Sequence, residues 1–158
     1  MKNIFIIIIF LIILIVIALM VLGYRSHSGA PAGMPYGRLT KCPDKPNCVC
    51  SEYKDDTAHY IDPLIIPEIT ETTRNILMES IQEAGGTIQT ESTDYITAVF
   101  SSSVFGFMDD LEVRIDKNIN EIQFRSASRV GHSDLGVNRK RVESIKALFV
   151  SKMNKQQE

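Results

Sequence analysis

The chain has 158 residues, 44% of them hydrophobic and 23% charged, with three cysteines, no tryptophan, a formal net charge of −2 and a pI near 5.9. So balanced a charge supplies no global basic field, which argues against generic nucleic-acid binding. With an apolar amino-terminal run set aside, about 120 residues remain, enough for one small domain that needs neither a metal nor a disulfide to fold.

Residues Ile4 to Leu22 are nineteen consecutive apolar residues. At 1.5 Å per residue they extend about 28 Å, close to the roughly 30 Å of a bilayer core. A cleavable signal competes with this reading, because Lys2 gives a positive leading region. The run is nevertheless longer than the roughly 7 to 15 residues of a signal-peptide core, and the small residues Ser28-Gly29-Ala30 and Ala30-Pro31-Ala32 start well beyond it. The expectation is an uncleaved transmembrane anchor over 1–23, touching the membrane through 4–22. A lone amino-terminal span of this kind exports the chain on its carboxyl side, so the protein is expected to be single-pass in a bacterial inner membrane. Its soluble part would face the periplasm or the outside. Residues 24–40, with Gly29, Gly33, Gly37, Pro31 and Pro35 and no hydrophobic period, read as a flexible tether to a domain over 41–158.

Cys42, Cys48 and Cys50 fall within nine residues, around Pro43 and Pro46. Cys42 and Cys48 could close a short loop in an oxidising compartment, and free thiols are the competing state. Metal binding is the weakest reading, since gaps of five residues and one residue do not match structural zinc sites.

Ala58 to Asp62 alternates briefly and reads as a first strand before Pro63. Ile76, Leu77, Ile81 and Ala84 repeat at helical spacing, with Thr70 as N-cap and Gly85-Gly86 as the stop. Four strands are then expected at 87–90, 95–101, 110–116 and 121–128, the last two a hairpin over 117–120. Alternation puts Leu111, Val113, Ile115, Ile122 and Phe124 on a core face. Asp110, Glu112, Arg114, Gln123 and Arg125 fall on the opposite face, expected to be wet. Asn138 is expected to cap a final helix reaching about Lys152, with Val142, Ile145, Leu148 and Phe149 inward. The fold class is α+β: a curved antiparallel sheet with two helices, in the order strand, helix, four strands, helix, preceded by one transmembrane helix.

Chemistry concentrates in the stretch from Arg125 to Arg141, where five cations, three serines, a histidine, an aspartate and two glycines lie between a strand and a helix. Exposed amides and the positive end of the helix dipole beside arginines suit an anion. The candidate binding set is Arg125, Ser128, Arg129, His132, Ser133, Asp134, Asn138, Arg139 and Arg141. A structural reading competes, in which Asp134 turns the loop and the arginines pair with Asp109, Asp110 and Glu112. A hydrolase using Ser126, Ser128 or Ser133 with His132 and Asp134 is the weaker option, because neighbours at i, i+1 and i+2 rarely aim at one another. An oxygen-rich metal site from His132, Asp134, Asp109 and Asp110 is equally weak, so no metal is assigned. Phe105 and Phe107, around Gly106, could rim a pocket, touch lipid or fill the gap under the sheet.

Three segments carry a resemblance: Cys42-Pro-Asp-Lys-Pro-Asn-Cys48-Val, Asp109-Asp-Leu-Glu-Val-Arg-Ile115 and, above all, Arg125 through Arg141. Through them the chain resembles the uncharacterised family called domain of unknown function fourteen-ninety-nine, over about residues 40–150. That family has serine or threonine where Cys50 stands, so the resemblance implies a Cys42–Cys48 pair and leaves Cys50 as the odd thiol. It implies a bacterial or plastid-type domain, often beside a membrane segment, with no established activity. Separately, no cofactor is expected. The expected function is binding of an anionic small molecule or lipid head group. Assembly of an envelope complex and hydrolysis at the 125–141 loop are the alternatives.

Overall fold

The computed structural model describes residues 1–156. The apolar run forms α1 (Lys2–Ser26), long and apolar enough to cross a membrane, as an anchor or a signal sequence would be. The strands are β1 (Cys48–Cys50), β2 (Leu64–Ile65), β3 (Thr87–Glu91), β4 (Tyr95–Ser101), β5 (Met108–Asp116) and β6 (Glu121–Ser128). Helix α2 (Glu71–Glu83) precedes β3, and α3 (Val137–Lys155) follows β6. The fold is α+β. All pairings are antiparallel in the order β1-β6-β5-β4-β3, and β2 also pairs with β6.

The cross-strand register puts Leu111, Val113 and Ile115 beside Ile122 and Phe124 on one face. There α2 packs Ile76, Leu77 and Ile81, and α3 packs Val142, Ile145 and Phe149, to make the main core. Helix α2 is well delimited. Thr70 and Thr73 form a reciprocal capping box, and Gly85 N–H to Gln82 with Gly86 N–H to Ile81 close the carboxyl end as a Schellman motif.

Several expectations need correction. Ala58–Asp62 is not a strand: only Tyr60 bridges to Cys50, and the edge of β6 is taken by β1 and β2. β1 is a three-residue Cys-Val-Cys buried on both faces, too short and too uniform to alternate. Asn138 does not cap α3. Gly136, at φ 79°, is the N-cap, which puts Asn138 inside the first turn and buried.

The second sheet face is not wet. Glu112 is fully buried, and Asp110, Gln123 and Arg125 are nearly so. Residues 30–40, read as a flexible tether, lie across this face. Gly33 N–H donates to Glu112 Oε1 at 2.7 Å, and Leu39 is buried with Cys42, Cys48, Cys50 and Ala127 in a second apolar cluster. Cys42 and Cys48 are disulfide-bonded, and Cys50 is a buried free thiol. The disulfide and the apolar helix together indicate an extracytoplasmic domain beside a membrane anchor or signal sequence.

Candidate functional site

The end of β6, the loop after it and the first turn of α3 form a network centred on Asn138. Its Oδ1 accepts from Ser126 Oγ at 2.5 Å and from Arg141 Nη1. Its Nδ2 donates to Asn47 O and to Ser128 Oγ, both at 3.1 Å. Asp134 occupies the α3 amino terminus itself, accepting from Gly136 N–H at 2.9 Å and Asn138 N–H at 2.7 Å. A carboxylate of the chain thus sits where a bound anion would use the same amides.

The arginines are committed too. Arg125 donates to Glu112 at 2.7 Å, and Arg129 grips Asp110 through Nε and Nη2. Arg141 reaches Asp109 at 2.6 Å while its guanidinium stacks 4.4 Å from the Phe100 ring centre. Arg139 donates to the Tyr60 and Ala58 carbonyls. Because adjacent strand residues face opposite ways, Asp109 lies under α3 while Asp110 lies on the second face, and the pair does not converge. His132 and Ser133 are exposed, and His132 bonds to none of the three serines among the described residues. Among the described residues no group of three or more His, Cys, Asp or Glu could hold a metal.

What remains open is a groove beside this network. One cavity of about 370 Å³ lies between Leu19 and Leu22 of α1, Phe107, and Ser128, Gly131 and Val137. A second of about 500 Å³ lies between Phe100, Ser101, Lys140, Arg141 and Ser144. The two share Ser102, Asp109 and Val137, so they meet as one groove, apolar against α1 and, against α3, bearing Lys140, Arg141 and the hydroxyls of Ser101 and Ser144 beside the Phe100 ring. Arg141 is neutralised by Asp109, which leaves Lys140 as the cation without an ion pair among the described residues of this groove.

The family model described as "Protein of unknown function (DUF1499)" matches residues 38–149. The chain belongs to this family. No match was found among the curated proteins or among the solved structures.

The DUF1499 domain therefore contains the whole 125–141 network, whereas Leu19 and Leu22 lie before the matched segment. Of the candidate set, Ser128, Ser133, Asp134 and Arg141 line the groove. Arg125, Arg129 and Arg139 are drawn into ion pairs and carbonyl contacts away from it. The sequence reading missed Lys140, Ser102 and Ser144 as groove residues. Lys140 was visible as the middle of an Arg-Lys-Arg run, but only the helical turn shows that it faces a different surface from Arg139. A further polar cleft of about 500 Å³ lies between Arg38, Glu52, Tyr53 and Arg114. Within it Glu52 accepts from Arg38, Arg114 and the Leu39 amide and Lys41 pairs with Asp56, while Lys54, Asp55 and Glu121 line the cleft without an ion pair among the described residues.

Proposed function

We propose that this DUF1499 protein is a single-pass protein of a bacterial inner membrane whose periplasmic domain binds the anionic head group of a membrane phospholipid. The observation that carries the reading is the shared groove, which joins Leu19 and Leu22 of α1 to Lys140 and the hydroxyls of Ser101 and Ser144. An amphiphile has that division of chemistry, and a phosphodiester brings one negative charge to one uncompensated lysine. The paired arginines speak against a highly charged soluble anion, because each would first have to leave a carboxylate. The periplasmic side is supported by the Cys42–Cys48 disulfide, a bond that persists in oxidising compartments.

The test is native mass spectrometry of the full chain released from lipid nanodiscs containing equal phosphatidylglycerol and phosphatidylcholine. Phosphatidylglycerol adducts should dominate, and Lys140→Glu should remove that preference with the fold intact. Equal retention of both lipids by the unmodified protein would overturn the reading.

A further inference from the structure

Helix α1 does not stand clear of the domain. Val16 and Leu19 are half-buried and Gly23 and Ser26 fully buried, a spacing of three, four and three that marks one helical face. A Cβ on Gly23 would fall 1.9 Å from the Phe105 carbonyl oxygen. Ser26 Oγ accepts from the Met108 amide at 2.9 Å, and the His27 ring contacts Gly106 O at 3.1 Å. Leu19 and Leu22 share a cavity wall with Phe107, Val130 and Val137.

Those contacts fix a depth. Leu22 ends the apolar run, and Leu19 lies about 4–5 Å further along the axis at 1.5 Å per residue. The run is itself about as long as the bilayer core is thick, so α1 cannot be raised far without drawing apolar residues into water. Whatever packs beside Leu19 therefore reaches the edge of the hydrocarbon.

Two loops line that cavity with Leu19, one through Ser102 and Phe107 and the other through Val130, Gly131, Ser133 and Asp134, and both expose apolar side chains nearby in sequence. In the loop from Ser102 to Phe107, which carries no charged residue, Val104 is 75% exposed. In the loop before α3, Leu135 is 89% exposed and holds a left-handed φ of 56°. Asn or Gly would adopt that backbone at lower cost and would suit water better, so leucine at this position is a costly choice whose exposed side chain an apolar partner would accommodate. The nearest charged group in the same loop, Asp134, is turned onto the α3 amides.

We infer that Val104 and Leu135 insert into the surface of the bilayer that α1 crosses, giving the domain a second membrane contact. This rests on α1 being embedded, as in the reading above, but not on head-group binding in the groove.

The absence of tryptophan makes a clean probe possible. Full-length Val104→Trp and Leu135→Trp would be reconstituted in vesicles of phosphatidylcholine alone, with Ile65→Trp and Val150→Trp as controls at other exposed apolar sites. Brominated acyl chains should quench the first two several-fold more than the controls, with blue-shifted emission. Equal quenching at all four sites, or free access of aqueous iodide to positions 104 and 135, would overturn the inference. Should the loop variants fail to fold, the unmodified protein can be labelled with a phosphatidylcholine bearing a diazirine in its acyl chain. Adducts on 102–107 and 130–136 support insertion, and adducts confined to α1 refute it. Neutral lipid separates the two readings: Lys140→Glu should leave the quenching unchanged, so loss of phosphatidylglycerol preference alone would sink only the groove.

Discussion

Glu112 is the most deeply committed charge in the domain. Its Oε1 takes the Gly33 amide and the Tyr95 hydroxyl, both at 2.7 Å, and its Oε2 takes Arg125. Burial, followed by the bond to Glu112, pushes the Tyr95 hydroxyl well above its usual range, so it stays a donor. Arg125→Met leaves a buried carboxylate without its cation and should cost about 3–5 kcal/mol in urea unfolding. Burial likewise pushes the Cys50 thiol up to about 11. The thiolate is the reactive form, so Cys50 should resist iodoacetamide at neutral pH until the domain unfolds. Nearer the surface, the hydrogen bond from Arg114 holds the Asp116 carboxyl below its ordinary value. A depressed folded-state pKa stabilises above the unfolded value of about 3.9 and is lost as pH falls through the folded one. The melting temperature of the unmodified protein should therefore drop more steeply below about pH 4 than that of Asp116→Asn. Alternation alone assigned Glu112 and Arg125 correctly to one face. It could not reveal that the face is covered, because its cover is a Gly- and Pro-rich segment about 80 residues away with no period of its own.

Among the elements, legibility followed length and punctuation. β4 and β6 were bounded to the residue, and α2 was announced by its threonine cap and double glycine. The second of those glycines is sterically required: a Cβ on Gly86 would lie 2.7 Å from Phe100 Cζ and 2.9 Å from Ile81 O. Gly86→Ala should accordingly destabilise the domain by about 1–3 kcal/mol, measurable by thermal or urea unfolding. β1 stayed hidden because three buried residues between a disulfide and a turn have no room to alternate. The start of α3 was misread for a related reason: Asn138 has the chemistry of a cap, but its amide is spent as a tie between β6, α3 and Asn47. The same competition shaped the candidate site, where residue types suited to an anion instead satisfy one another and the opening lies further along α3, at Lys140.

At the level of the whole molecule, the segment between α1 and the sheet joins them closely. Gly29 packs against the Arg129 side chain, and Arg129 also donates to the carbonyls of Ser26 and His27. Reducing Cys42–Cys48 should lower stability by only about 2 kcal/mol, as expected for a loop this short, leaving the domain folded but less stable. Gly23→Leu, by contrast, should leave the melting temperature of the domain nearly unchanged while raising hydrogen exchange at the Met108 amide, which is held by Ser26. If α1 spans a bilayer as proposed, a span that ends against a β-sheet would act as a lever. Helices answer a change in bilayer thickness by tilting. With Gly23 wedged on Phe105 and Ser26 tied to β5, such a tilt would rotate the sheet as well, and in the proposed anchored state the thickness of the membrane would become a mechanical input to the domain.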